Sequence, residues 1–149
     1  MKFSIPLPIE FSFELSLSFL QRSPRELLHR CLGEGVRKLI RVGQQQVLFE
    51  VRPLGEDLEV SILSSTLNDA GVKSEVTTFV REWFDLDTDL KPFYSLASKD
   101  RLLKDLVVKF YGYRIIGQPD LFESLVWAVL GQQINVQFAY TLKQRFVER

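Results

Sequence analysis

Three stretches in the middle of the chain are rich in β-branched and aromatic residues and are separated by tight turns. They cover residues 36–42, 46–52 and 58–63, with a Val-Gly-Gln turn after the first and a Pro-Leu-Gly-Glu-Asp turn after the second. Strands that are joined by so few residues pair as antiparallel neighbours. The sequence therefore predicts an antiparallel sheet, and this sheet limits where every other element can pack.

Two further elements are predicted before this sheet. From residue 11 to residue 19, apolar residues occupy the odd positions and polar residues the even ones, which is typical of a half-buried strand. Ser23 can cap a helix, Pro24 suits its first position, and Glu26 can reach back to the cap. These signals predict a short helix over residues 24–32.

After the sheet, apolar residues follow helical spacing instead. This spacing runs through residues 76–83, 86–94 and 102–107. A run of strands followed by helices predicts an α+β fold, in which an antiparallel sheet is packed against helices.

The last part of the chain predicts two consecutive helices. The first covers about residues 122–130 and ends at Gly131, and the second begins after Asn135, which can cap it. The second helix reaches Arg149 without a residue that would terminate it. We therefore expect the chain to be a truncated part of a longer protein.

The composition disfavours several classes of protein. Nineteen basic residues balance nineteen acidic ones, so no global charge points to a polyanion or a membrane surface. The single Cys31, interpreted as a buried residue of the short helix, and the single His29, interpreted as its edge residue, cannot build a disulfide or a cysteine- or histidine-rich metal site. Polar residues interrupt the apolar run near the N-terminus, which disfavours a signal peptide and a membrane span. We expect a soluble, cytoplasmic protein without a metal or other cofactor.

The turn between the last two predicted helices, Gly131-Gln132-Gln133-Ile134-Asn135, combines two amides with a large apolar residue. A glutamine amide can donate to and accept from base edges, and an apolar side chain can wedge into an opened base stack. The same residues would also suit an ordinary solvated turn. The residue types alone leave both interpretations open.

Residues 112–136 as a whole resemble the start of the catalytic domain of the AlkA-type alkylated-base DNA glycosylases (DNA-3-methyladenine glycosylase II), which belong to the helix-hairpin-helix glycosylase superfamily. The pattern is Gly112-Tyr-Arg114-Ile-Ile-Gly117, then Asp120-Leu-Phe122-Glu123, then a helix that ends in Gly131-Gln132. The preceding region is similar to the N-terminal domain of these enzymes, a module like half of the TATA-binding protein. The resemblance implies an α+β domain over residues 1–110, followed at 111–149 by the first helices of an all-α helix-hairpin-helix domain.

The resemblance also implies a monofunctional hydrolase of base-excision repair. Such enzymes bend double-stranded DNA, flip an alkylated purine such as 3-methyladenine out of the stack, and hydrolyse its N-glycosidic bond. The residue that fills the vacated space maps onto Gln133, with Gln132 before it; Ile134 either shares the apolar contact or anchors the turn. An aromatic residue of the base pocket maps onto Phe19, for which core packing is the alternative.

The same resemblance places the helix-hairpin-helix and the catalytic aspartate after residue 149. We therefore assign no catalytic residue to this chain, and we expect it to be inactive alone, as part of a monomeric, metal-free enzyme that acts on DNA damaged by alkylation. Two alternatives stay open. One is a non-enzymatic α+β module that binds a protein or a small ligand, and the other is an inactive DNA-binding relative.

Overall fold

The computed structural model describes residues 1–64 and 70–149, and within these ranges the chain forms a five-stranded sheet and six helices. The strands are β1 (Lys2–Pro6), β2 (His29–Leu32), β3 (Gly35–Val42), β4 (Gln45–Leu54) and β5 (Asp57–Ser64). The helices are α1 (Phe13–Leu20), α2 (Ala70–Trp83), α3 (Lys91–Ala97), α4 (Lys104–Lys109), α5 (Leu121–Leu130) and α6 (Val136–Val147). Every strand pair is antiparallel, and the order across the sheet is β1-β5-β4-β3-β2. The predicted α+β fold and the three predicted strands of the central sheet are confirmed.

One face of the sheet carries the hydrophobic core. The alternate residues Val47, Phe49 and Val51 of β4 are fully buried, as the two-residue period of a strand requires when one face is covered. The covering helix is α2, whose buried residues recur every three or four positions. These residues are Val72, Val76, Val80 and Trp83. The opposite face is charged, and there Glu50 lies between Arg37 and Arg52 and pairs with both.

The predicted strand over residues 11–19 is wrong, because most of this stretch forms helix α1. Ser12 caps the helix by accepting a hydrogen bond from the Leu15 amide at 3.3 Å. Phe13, Ser16 and Leu20 face the core at helical spacing, and the buried Ser16 hydroxyl donates to the Ser12 carbonyl at 2.9 Å. A small polar residue that bonds to its own helix is thus tolerated in the core, which the alternating pattern does not reveal.

The predicted helix over residues 24–32 is also wrong. Ser23 and Glu26 do accept bonds from nearby amides, those of Arg25 and Leu28, but they close turns rather than start a helix. The following residues form β2 and gain a ladder with β3, in which His29 stands opposite Lys38. The two strands are joined by Gly33-Glu34, and Gly33 adopts the positive φ of +56° that short hairpin turns favour.

Two residues assigned to that helix therefore lie on a strand. His29 is half-buried, and its ring donates a hydrogen bond to the Leu20 carbonyl at 2.9 Å. Burial lowers the pKa of His29, although the Leu20 carbonyl and the nearby Glu26 act in the opposite direction. Cys31 is half-buried against the core, and burial raises the pKa of its thiol. Strand β1 at the N-terminus was not predicted.

The helices after the sheet largely follow the sequence pattern. The spacing over residues 76–83 marks α2, and α5 and α6 lie where the last two helices are predicted, with Asn135 capping α6. Helices α3 and α4 are shorter or shifted relative to residues 86–94 and 102–107. Within residues 1–64 and 70–149, no helix has the length and apolar character needed to cross a membrane.

Replacement of Phe49 tests the assignment of the hydrophobic core. The Phe49 side chain is fully buried, and its ring lies 6.0 Å from Phe79 and 6.4 Å from Trp83. We expect Phe49→Ala to lower the free energy of unfolding by about 3 to 5 kcal/mol, because it leaves a cavity under α2. Urea denaturation measures this loss. The control Leu39→Ala, on the exposed face of β3, should change stability by no more than about 0.5 kcal/mol, and equal losses would contradict the assignment of the core.

Candidate functional site

The turn between α5 and α6 presents two glutamines to solvent. Helix α5 ends where the Gly131 amide donates to the Trp127 carbonyl at 2.9 Å. Gln132 and Gln133 are exposed and Ile134 is half-buried, so all three predicted DNA-binding residues lie together on one turn. The next helix begins at once, since the Asn135 side chain accepts a bond from the Phe138 amide at 2.9 Å. A capped helix on either side holds the turn in place.

Gln133 has an unusual backbone conformation. Its φ of +56° lies in the left-handed region, which costs a residue with a Cβ atom about 1 to 2 kcal/mol relative to the ordinary conformations. Such strain persists only where the surrounding structure enforces it, and it is concentrated at functional sites. Here the strained residue carries an exposed amide side chain on the turn between α5 and α6.

Helix α5 is fixed to the sheet by a buried ion pair. Lys38 of β3 lies on the covered face, opposite Phe49 in the strand register, and its side chain is only 5% exposed. Its ammonium group donates to both carboxylate oxygens of Glu123, at 2.8 and 2.9 Å. Gln118 contacts the same carboxylate. A buried lysine needs such a partner, so the first turn of α5 is held at one place on the sheet.

Helix α6 is held by a second ion pair of opposite polarity. Lys143 donates to both carboxylate oxygens of Glu26 at 2.8 Å, and the two side chains are 12% and 9% exposed. Burial by itself would raise the pKa of Glu26, but the bonds from Lys143 and from the Leu28 amide hold this pKa below its usual value. The neighbouring Arg25 donates to Thr141 at 3.1 Å and to the Gln137 carbonyl at 3.4 Å.

The segment that leads into α5 is anchored in the same way. The buried Arg114 guanidinium donates to the carbonyls of Glu10, Thr88 and Asp85 at 2.8, 2.8 and 2.5 Å. Gly117 donates to the Trp83 carbonyl at 2.8 Å, and a Cβ at this position would come within 2.4 Å of a backbone oxygen. These contacts tie the predicted second domain to the first; the boundary at residues 110 and 111 stays a prediction.

A cavity of about 250 Å³ lies between the sheet and the two C-terminal helices. Both ion pairs line it, together with His29 and aromatic side chains. The aromatic residues are Phe19, Trp83 and Trp127. Arg22 borders the cavity as well, so the cavity combines apolar aromatic surfaces with two ion pairs and one guanidinium group that is in neither pair.

Phe19 lies in the last turn of α1 and borders this cavity. It lies in a helix and not at the end of a strand, and it is half-buried outside the hydrophobic core. The Arg22 guanidinium covers its ring, with the central carbon 3.7 Å from the ring centroid. Arg22 also lies 5.9 Å from the Tyr140 ring, and Tyr140 packs on Trp127 at 4.9 Å.

A short series of contacts thus connects Phe19 to the glutamine turn. It runs through Arg22 and Tyr140 to Trp127, whose carbonyl accepts the Gly131 bond at the end of α5. The glutamines themselves do not border the cavity among the residues that the structure describes. Sequence reasoning missed the residues between the two places, because an arginine after a turn and a tyrosine on a helix carry no signal of their own.

Within residues 1–64 and 70–149, no three histidine, cysteine, aspartate or glutamate side chains come together as a metal site would require.

Known proteins give the chain a consistent set of relatives. A family model described as the N-terminal domain of 8-oxoguanine DNA glycosylase matches residues 13–125. A DNA-3-methyladenine glycosylase of Bacillus subtilis (strain 168) is 42% identical over an alignment of 149 positions that covers 97% of this chain and 48% of that protein. A 3-methyladenine DNA-glycosylase from Archaeoglobus fulgidus has the same fold, with a TM-score of 0.78 at 22% identity over 99% of this chain and 50% of that one. The chain spans about half the length of these two relatives.

The strain at Gln133 predicts an unusual gain of stability. Gln133→Gly removes the cost of the left-handed conformation but adds freedom to the unfolded chain, so we expect a net gain of about 0.5 to 1 kcal/mol. Thermal and urea unfolding would measure it. Gln133→Ala keeps the Cβ atom and serves as the matched control, for which no gain is expected. A loss of stability in Gln133→Gly would contradict the strained turn.

The two sides of the Glu26–Lys143 pair should be strongly coupled. Either Glu26→Gln or Lys143→Met leaves one buried charge unpaired, and we expect each to cost about 3 kcal/mol. The double variant should lose less than the sum, with a coupling energy of about 0.5 to 3 kcal/mol in urea denaturation. The exposed pair of Lys2 and Glu59 is the control cycle, for which less than about 1 kcal/mol is expected. Equal coupling in both cycles would show that the interface pair is not buried.

Proposed function

The chain belongs to the family of 8-oxoguanine DNA glycosylase N-terminal domains, and we propose that it is the N-terminal part of a base-excision-repair glycosylase that removes alkylated purines from DNA. The proposed reaction is hydrolysis of the N-glycosidic bond, in which water adds to the sugar carbon and the damaged base leaves, so that an abasic site remains. The Bacillus and Archaeoglobus relatives, whose names specify 3-methyladenine, support this substrate class.

One observation carries the proposal beyond family membership, namely the exposed glutamine pair on a strained turn. Flipping a base leaves a gap in the stack, and a side chain that enters from the groove can fill it. An amide suits the polar edges around the gap because it can donate and accept at once. We propose that Gln133 fills the gap in the base stack and that Gln132 contacts base edges in the groove. Ile134 makes the apolar contact beside them.

We assign Phe19 to the pocket for the flipped base. Alkylated purines often carry a positive charge, and an aromatic ring face attracts a cation more strongly than a neutral base. The half-buried ring at the edge of the cavity between the sheet and helices α5 and α6 offers such a face. Its contact with Arg22 supports this assignment, because it demonstrates that a planar cation fits against the ring at 3.7 Å.

The full-length protein provides the direct test. We expect it to release 3-methyladenine from alkylated duplex DNA, and we expect residues 1–149 alone to release none, since we assign no catalytic residue to them. Chromatography of the released bases measures both. The name of the matched family makes 8-oxoguanine the second candidate, so a duplex with 8-oxoguanine opposite cytosine is included. Release of 8-oxoguanine alone would show that 8-oxoguanine, and not 3-methyladenine, is the substrate. Release of neither base would contradict the proposed glycosylase activity. Base release by residues 1–149 alone would contradict the expectation that the catalytic residue lies outside them.

The turn is tested separately through binding. In the full-length protein, Gln133→Ala combined with Ile134→Ala should weaken binding to a duplex with an abasic site by about tenfold or more, because the gap in the stack is left unfilled. Fluorescence anisotropy measures this. Gln137→Ala changes an exposed glutamine on α6 instead and should leave the affinity unchanged. An unaltered affinity in the double variant would return the turn to a purely structural role.

A further inference from the structure

Arg22 occupies the position at Phe19 that the flipped base would need. Its guanidinium lies over the ring, with the central carbon 3.7 Å from the centroid, and one of its nitrogens donates to the Phe19 carbonyl at 3.4 Å. Arg22 is exposed overall, and its further contact is with Tyr140, whose ring centroid lies 5.9 Å from its central carbon. A cation–π contact at an exposed site changes an equilibrium only about two- to fivefold, so Arg22 can be displaced.

The charges around the cavity leave this contact as the main means of selecting a cation. The two carboxylates that border it, those of Glu26 and Glu123, are each bound by a lysine through both oxygens. Neither has a free charge to attract a cationic base. His29, which also borders the cavity, has its pKa lowered by burial and its ring bonded to a carbonyl.

We propose that Arg22 is a specificity residue, which covers the Phe19 ring until a cationic base replaces it. The inference rests on the proposed function, since it presumes that a flipped base stacks on Phe19. A cationic base restores the cation–π contact that is lost when Arg22 moves into water, so the exchange is nearly neutral. A neutral base does not restore it and carries the full cost of displacement. Arg22 therefore disfavours undamaged and neutral bases, which the Phe19 ring alone would bind more readily.

The test compares a cationic with a neutral substrate in the full-length protein. Single-turnover rates are measured for duplexes with N7-methylguanine, which is cationic, and with hypoxanthine, which is a neutral purine. We expect Arg22→Gln to raise the rate on hypoxanthine about two- to fivefold relative to that on N7-methylguanine. Arg22→Lys keeps a cation and should stay close to the wild type. Arg30→Gln alters another exposed arginine, on β2, and should leave the ratio unchanged.

Two results would overturn the proposal. An unchanged ratio in Arg22→Gln would show that Arg22 does not discriminate. An equal fall of both rates would show that Arg22 binds DNA generally, as a phosphate contact does.

A second readout separates this inference from the proposed function. Binding of N7-methylguanosine, kept below the pH at which it loses its N1 proton, is compared with binding of guanosine by following the Phe19 ring signals in NMR spectra. Release of no base from any duplex would overturn the proposed function. The nucleosides would still decide on Arg22, because the preference for the cationic one must fall in Arg22→Gln, and an unchanged preference would contradict its role.

Discussion

A lysine on the covered face of the sheet determines how the two parts of the chain fit together. Lys38 stands in a row of buried apolar residues, where an unpaired ammonium group would cost several kcal/mol. Its only neutralising contact among the described residues is Glu123, in the first turn of α5. The sheet can therefore be formed at low cost only when α5 is docked, which makes folding of the N-terminal part and positioning of the helices mutually dependent.

The second ion pair turns this dependence into a unique arrangement. The sheet side contributes a base through Lys38 and an acid through Glu26, and the helices contribute the complementary acid and base, Glu123 and Lys143. Any docking that exchanged α5 and α6 would place like charges together. The two ion pairs thus help to set the direction in which the glutamine turn points.

Strands and helices are predictable from the sequence where the local residue pattern favours the same element that the tertiary contacts favour. The strands of residues 36–63 are joined by short turns, and Asn135 caps α6 as predicted, whereas the cap of α5 at Asp120 was not predicted. The stretch over residues 11–19 was misassigned because its alternation also places Phe13 and Leu20 on one helical face. The segment after Ser23 carries helix signals that the pairing of β2 with β3 outweighs.

The site was predictable to a lesser degree, and for a related reason. A resemblance along the chain singles out the glutamine turn and Phe19 as candidate site residues, since each is defined by neighbours in sequence. Lys38 and Lys143 pair with Glu123 and Glu26, which are distant from them in sequence. Arg22 contacts the nearby Phe19. A buried lysine within a strand is nonetheless a signal that could have been used, because it requires an acid from elsewhere in the fold.

The left-handed backbone at Gln133 has an evolutionary consequence. Glycine and asparagine adopt this conformation at lower cost, so random substitution acting with selection for stability alone would drive the position toward them. The proposed contact of the Gln133 amide with DNA would oppose this drift. A relative whose turn does not bind DNA is therefore expected to carry glycine or asparagine at this position more often.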